Sequence, residues 1–191
     1  MDTPAPLSLF LVANTSFLSA DDPVLLDGCS RADLVVSLGG VDLTVVAQAL
    51  PPRKPALCVL SPEDSQQMPR PFRVLHGSGF SFRDWQLAGL SGAAKLGPAG
   101  GGLYLADDEA EALLFSLPAA DIFFSHAYPT DLAQSGINSI YGMKPLDSYL
   151  RQNPPIYHFY AHPTDNTLEE GENHLSVGVN GTYLTPPLEY I

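Results

Sequence analysis

Residues 121–129 decide the fold of this chain; they read Asp-Ile-Phe-Phe-Ser-His-Ala-Tyr-Pro. The apolar and aromatic run predicts a buried strand, and the Tyr-Pro pair predicts the end of regular structure directly after it. Residues 156–163 repeat the pattern as Ile-Tyr-His-Phe-Tyr-Ala-His-Pro. If the two strands are parallel neighbours, His126 and His162 lie at the same edge of a sheet, where open α/β sheets bind their ligands.

The first third of the chain alternates strand-like and helix-like segments. Continuous apolar runs predict strands at residues 7–13, 33–38 and 56–60. Helical spacing, together with an Asp-Pro start in the first case, predicts helices at residues 21–29 and 41–50. This β-α-β-α-β order is typical of a sheet whose strands are joined by helical crossovers.

The remaining segments are richer in short strands and loops. Three short strands, expected to be antiparallel, are predicted at residues 72–75, 79–82 and 85–90. Two helices are predicted at residues 107–117 and 145–151. Loops are predicted at residues 93–102 and 130–143 and around the acidic side chains of Glu169, Glu170 and Glu172. The last two strands are predicted at residues 174–179 and 182–185.

Composition limits the classes of partner that this chain is expected to bind. Its 191 residues, 45% of them apolar, fit a single domain over residues 1–191 with a full core. A net charge of −12 argues against nucleic acids and anionic membranes as partners. The apolar run at residues 7–13 is too short to span a membrane. It follows Asp2 with no Lys or Arg before it, which is not how a secretory signal begins, so the expected location is the cytoplasm.

Several other reactive side chains are interpreted as structural. Cys29 and Cys58 have no metal or redox spacing and are expected to be buried free thiols, although a disulfide between them remains open. Three further histidines are expected to be structural or exposed: His76, His158 and His174. Two serines, Ser37 and Ser125, lie at predicted strand ends, but the sequence signals no base beside either.

The order of these segments resembles the calcineurin-like metallophosphoesterases along nearly the whole chain. The resemblance implies an α/β fold: a two-layered mixed β sandwich flanked by helices, with two metal ions held on loops at strand ends. The family's motifs run Asp-x-His, Gly-Asp, Gly-Asn-His-Asp/Glu, a Thr-His-x-x-Pro type of strand end and Gly-His-x-His. Segments similar to these motifs occur here in the same order, at residues 12–16, 37–40, 60–64, 125–129 and 161–164.

Most of the metal ligands that the resemblance implies are replaced in this chain. The substituted ligand positions are Asn14, Ser16, Gly40, Pro62 and Thr164. Glu63 stands where the resemblance places the catalytic histidine. His126 and His162 match the two histidines that are retained. Two-metal hydrolysis needs a shared carboxylate between the metals, and Gly40 has no side chain to supply it.

Two hypotheses about function therefore stay open. In the first, the protein is an inactive or very weak homologue with an eroded dinuclear site and no cofactor, which binds a protein or small-molecule ligand. In the second, it is a phosphoester hydrolase, a phosphodiesterase or phosphatase, rebuilt around one zinc or manganese ion. His126 and His162 would hold that ion, and Glu63, Asp64 or Asp165 would complete its coordination.

Overall fold

The computed structural model describes residues 5–17, 19–95, 102–130, 142–170 and 174–190. Most of its strands form two mixed sheets. The five-stranded sheet has the order β13-β1-β2-β3-β4, with β1 Leu9–Ala13, β2 Leu34–Ser37, β3 Ala56–Cys58, β4 Phe72–Val74 and β13 Gly181–Leu184. The six-stranded sheet has the order β11-β12-β10-β9-β6-β5, with β5 Ser78–Phe82, β6 Trp85–Leu90, β9 Ile122–Ser125, β10 Tyr157–Ala161, β11 Thr167–Glu170 and β12 Leu175–Val179. Two short strands, β7 Ala93–Ala94 and β8 Tyr104–Leu105, pair with each other.

Within the described ranges, four helices lie outside the sheets, with bounds α1 Pro23–Arg31, α2 Leu43–Ala49, α3 Asp107–Phe115 and α4 Lys144–Gln152. Asp22 caps α1 by accepting hydrogen bonds from the backbone N–H groups of Val24 and Leu25, and Pro23 occupies the first turn. No helix among the described residues is long and apolar enough to cross a membrane.

The core has three layers because most of the strands are buried on both faces. Residues between the two sheets form the central cluster, for example Leu11, Phe124 and Val177. Apolar side chains of α1 and α2 pack on the five-stranded sheet around Phe10, and those of α3 and α4 pack on the six-stranded sheet around Phe123. The α/β two-layered sandwich flanked by helices that the sequence predicts is confirmed.

The parallel pairing of the two histidine-ended strands is also confirmed. β9 and β10 are parallel neighbours in the six-stranded sheet, with Ser125 opposite Tyr160. His126 and His162 therefore leave the sheet at the same edge. Cys29 and Cys58 are buried free thiols, as expected, and burial raises the pKa of Cys29 to about 11 and that of Cys58 to about 12.

Three details of the prediction are wrong. β4 pairs in parallel with β3 rather than antiparallel with a neighbour, because its apolar pattern carries no information about strand direction. The predicted acidic loop contains β11, which pairs with β12 despite the low strand propensity of glutamate. The predicted loop at residues 93–102 contains the strand Ala93–Ala94. Other parts of the predicted loops, residues 96–101, 131–141 and 171–173, lie outside the described residues.

Candidate functional site

Five strand ends converge to form what we call the strand-end cluster, consisting of Asn14, Gly39–Gly40, Ser61–Asp64, His126 and His162. The first three segments follow β1, β2 and β3 of the five-stranded sheet, and the two histidines follow β9 and β10 of the other sheet. The carboxyl ends of parallel strands lie at one edge of a sheet. As a result, residues as far apart in sequence as Asn14 and His162, 148 positions, are in contact.

The backbone of the cluster is closely packed at Gly39 and Gly40. Both glycines and Asn14 have positive φ angles, of 96°, 68° and 47°. A Cβ on Gly40 would lie 2.8 Å from Asn14 Oδ1, and a Cβ on Gly39 would lie 2.6 Å from His126 Nδ1 and from the Ser61 nitrogen. An aspartate at position 40, the bridging ligand that the resemblance implies, would therefore clash with the observed position of Asn14.

The carboxylate of Asp64 ties together the ends of β2 and β3. It accepts a hydrogen bond from the backbone N–H of Gly40, at 3.0 and 3.2 Å to its two oxygens, and one from that of Ser61 at 2.8 Å. Asp64 is half-buried, and hydrogen bonds to an ionised acceptor are stronger than neutral ones. A negative charge therefore holds the two loops between which the resemblance places metal cations.

His126 links the two sheets through its ring. Its Nδ1 lies 2.8 Å from the backbone oxygen of Leu38, and because a carbonyl only accepts, Nδ1 carries the proton and donates. Burial lowers the pKa of His126, and this effect outweighs the opposing attraction of the carboxylates of Asp64 and Glu63. The ring is neutral at pH 7, and its unprotonated Nε2 has no hydrogen-bond partner among the described residues.

His162 has the opposite tautomer. Its Nδ1 accepts hydrogen bonds from the backbone N–H groups of Asp165 at 3.1 Å and Thr164 at 3.4 Å, so the proton of the neutral ring is on Nε2. Burial lowers the pKa of His162 as well, against the attraction of Asp165. The backbone oxygen of His162 accepts a hydrogen bond from the side-chain nitrogen of Asn14 at 2.9 Å, which is a second link between the sheets.

These residues do not fit a dinuclear metal centre. A histidine binds a metal through an unprotonated nitrogen, and the unprotonated nitrogen of His162 already accepts backbone hydrogen bonds. Both oxygens of Asp64 accept hydrogen bonds from amides, and Gly40 has no side chain. Across the described ranges, no group of three or more His, Cys, Asp or Glu residues is placed to hold a metal ion.

The other predicted site residues lie at the rim of the cluster or outside it. Four of them are exposed: Ser16, Glu63, Thr164 and Asp165. Pro62 is half-buried, and its backbone oxygen accepts a hydrogen bond from the Leu103 nitrogen at 3.1 Å. Thr164 and Asp165 reach His162 through their backbone N–H groups, so their side chains take no part in this contact.

Ser125 does have a histidine beside it, which sequence reasoning missed. His158 Nε2 lies 2.9 Å from Ser125 Oγ, and His158 Nδ1 lies 3.1 Å from Ser176 Oγ. All three residues are fully buried, and Ser125 Oγ donates its proton to the Ala127 oxygen at 2.6 Å. Burial lowers the pKa of His158 to about 3. The arrangement is therefore a neutral structural network, in keeping with the structural role expected for His158. Ser125 is opposite Tyr160 in the β9–β10 pairing, so His158, two residues before Tyr160 on the same face, is its diagonal neighbour. This register is what could have related the two residues.

Comparison with solved structures shows the fold. The crystal structure of TT1561 of Thermus thermophilus matches with a TM-score of 0.63 and 16% sequence identity, over 91% of this chain and 88% of that one. A predicted phosphoesterase from Streptococcus pneumoniae TIGR4 matches with a TM-score of 0.40 and 10% identity, over 93% and 72% of the two chains. Wild-type Vps29 of Entamoeba histolytica complexed with Zn²⁺ matches with a TM-score of 0.41 and 11% identity, over 90% and 73%.

The last two TM-scores are too low to support an argument about function. No protein-family model matches the chain, and no curated protein matches its sequence. The match to TT1561 supports the two-layered α/β fold, and the likeness to the calcineurin-like metallophosphoesterases stays what the sequence resemblance implies. A shared fold does not by itself assign an activity, so the function must be argued from the strand-end cluster.

Proposed function

We propose that this protein is a non-catalytic binding protein with the metallophosphoesterase fold, which needs no metal ion and acts through a protein or small-molecule partner. One observation carries the proposal: the Asp64 carboxylate accepts hydrogen bonds from the Gly40 and Ser61 amides, between the two loops where the fold family holds metals. In this proposal, hydrogen bonds within the chain hold these loops together in place of metal ions. The protein thus retains the fold without the catalytic centre.

The charge of the cluster supports the same proposal. Phosphoester hydrolysis on this fold depends on cations that neutralise the phosphoryl oxygens. Here both histidines are neutral at pH 7, and the acidic side chains of Glu63, Asp64 and Asp165 lie near them. Without a cation, such a cluster repels a phosphate rather than binding it.

A second candidate function, hydrolysis with one metal ion, is favoured by the tautomer of His126. Histidines that bind metals usually donate their other ring N–H to a carbonyl or carboxylate, and His126 donates to the Leu38 oxygen in this way. Its free Nε2 is one ligand. Ligation by Asp64 would compete with its bonds to the amides, and ligation by His162 would require a change of tautomer, whereas Glu63 and Asp165 are exposed carboxylates.

One experiment separates the two functions. The protein is purified without chelator, its bound metal is measured by elemental analysis, and an activated phosphodiester is assayed with added Mn²⁺ or Zn²⁺. We expect no stoichiometric metal, and turnover no higher than that of the matched His126→Ala and His162→Ala variants. Metal near one equivalent, with turnover that both variants lose, would establish the hydrolase and exclude the binding protein.

A further inference from the structure

One edge of the six-stranded sheet is open. β11 is the last strand of that sheet, and on its outer side no strand pairs with it in the part of the chain that the structure describes. An edge strand presents unpaired backbone N–H and C=O groups, to which another extended chain can add. Edge strands are common, so the side chains of β11 must decide whether this one is a docking site.

Leu168 is the first reason to assign a partner to β11. The register places Leu168 opposite Val177, which is buried in the central core between the sheets. Leu168 therefore points to the face that the neighbouring strand buries, yet 64% of its surface is exposed and it does not pack against the core. It is the most exposed large apolar side chain in the described residues. A partner that extends the sheet would cover it.

The negative charges of β11 indicate the charge of the partner that it would bind. Glu169 and Glu170 directly follow Leu168, and the whole chain has a net charge of −12. In an antiparallel pair of two β11 strands, glutamates of both copies would lie close together, and like charges across strands are destabilising. A second copy of this chain is therefore disfavoured, whereas a Lys or Arg side chain opposite Glu169 complements the edge.

We propose that β11 is a docking strand for an extended basic segment of a protein partner. The segment would continue the sheet through backbone hydrogen bonds, place an apolar side chain beside Leu168 and place a basic side chain opposite Glu169. The inference rests on the binding role proposed above and names the class of partner. It concerns a surface separate from the strand-end cluster, so the two proposals fail in different experiments.

The test uses a short fluorescent peptide of alternating Val and Lys as the probe, with the whole chain of residues 1–191. We expect saturable binding measured by fluorescence anisotropy, protection of β11 amides from hydrogen exchange, and weakening by salt. The double variant Glu169→Lys/Glu170→Lys should bind on the order of tenfold or more weakly, because the attractive pair at Glu169 becomes repulsive and the charge at position 170 adds to the repulsion. Leu168→Lys should weaken binding as well.

Three controls make the result specific. Leu26→Lys changes another exposed leucine, on α1 and 42% exposed, and should leave binding unchanged. A peptide with Glu in place of Lys should not bind, and neither should a Val-Lys peptide with alternate backbone nitrogens methylated, because it cannot pair with the strand. His126→Ala should retain full peptide binding even if the metal assay overturns the non-catalytic proposal.

The proposal is overturned by any of three results. The first is no binding of the Val-Lys peptide up to about 1 mM, a concentration that corresponds to negligible affinity. The second is equal binding to the wild type and the Glu169→Lys/Glu170→Lys variant. The third is a concentration-dependent dimer in sedimentation that Leu168→Lys abolishes, since the occupant of the edge would then be a second copy.

Discussion

The strand-end cluster and the β11 edge are two polar regions of the same sandwich that differ in whether their hydrogen-bonding groups have partners within the chain. In the cluster, Asp64, His126 and His162 use their polar atoms on backbone groups of the same chain. At the edge, the outer side of β11 has no strand partner in the described residues, and Leu168 is largely exposed. The contacts of the cluster are mostly internal, whereas the outer side of β11 is where we propose that a partner binds.

Of the two regions, the cluster should show the larger effect, when its hydrogen bonds are broken at Asp64. Asp64→Ala leaves the Gly40 and Ser61 amides without their acceptor, and each is a hydrogen bond to a charged group. We expect the free energy of unfolding to fall by on the order of 2–4 kcal/mol in urea denaturation. Asp64→Asn keeps one acceptor oxygen and should lose less.

Asp165→Ala is the matched control for this prediction, because Asp165 is an exposed carboxylate next to the same cluster. Its removal should change the free energy of unfolding by less than about 0.5 kcal/mol. Equal losses in the Asp64 and Asp165 variants would mean that the bonds of Asp64 to the loops are not stabilising.

Acid should destabilise the protein through its buried histidines. Burial lowers the pKa of His158 to about 3 and also lowers those of His126 and His162. Below about pH 6.5 these histidines bind protons in the unfolded chain but not in the folded chain. Their contribution to the free energy of unfolding is therefore fully present above that pH and is lost as the pH falls. His158 alone should remove about 2 kcal/mol of unfolding free energy between pH 7 and pH 5.

Urea denaturation at pH 7 and pH 5, with His158→Gln as the comparison, measures this effect. Glutamine does not titrate, so the variant should lose less stability between the two pH values than the wild type does, even if it is less stable at pH 7. An unchanged pH dependence in the variant would show that His158 accepts a proton in the folded state.

The smallest expected effect is at the edge. Leu168→Lys removes an apolar side chain that is 64% exposed and outside the core, so the free energy of unfolding should change by no more than about 0.5 kcal/mol. Leu11→Ala, at a fully buried core position, is the contrasting variant and should cost about 2–5 kcal/mol in the same urea measurement. A large loss in Leu168→Lys would place Leu168 in the core rather than at a binding surface.

Most of the fold could be predicted from the sequence because burial on both faces leaves long apolar runs. Residues 121–129 and 156–163 showed this for β9 and β10, and their prolines indicated where each strand ends. β11 could not be predicted, since Glu169 and Glu170 disfavour strands and only the pairing with β12 compensates.

The positions of the cluster residues could be predicted, but their hydrogen bonds could not. The two apolar strand patterns placed His126 and His162 at one edge of a sheet, and the parallel pairing of β9 and β10 confirms it. The role of Asp64 depends on an amide 24 positions away, and the tautomer of His126 on a carbonyl 88 positions away. Such contacts are set by the packing of two sheets, and residue types in sequence carry no direct signal of them.

The tautomers of the two histidines test the central claim most directly. Long-range ¹H–¹⁵N NMR of ¹⁵N-labelled protein at pH 7 should show His126 protonated on Nδ1 and His162 protonated on Nε2. Both sets of ring signals should stay unchanged when Zn²⁺ is added at one equivalent, because the cluster is held by hydrogen bonds to the backbone. Protonation of His162 on Nδ1 would contradict these hydrogen bonds, and zinc-dependent shifts of both rings that His126→Ala abolishes would show that the cluster is a metal site.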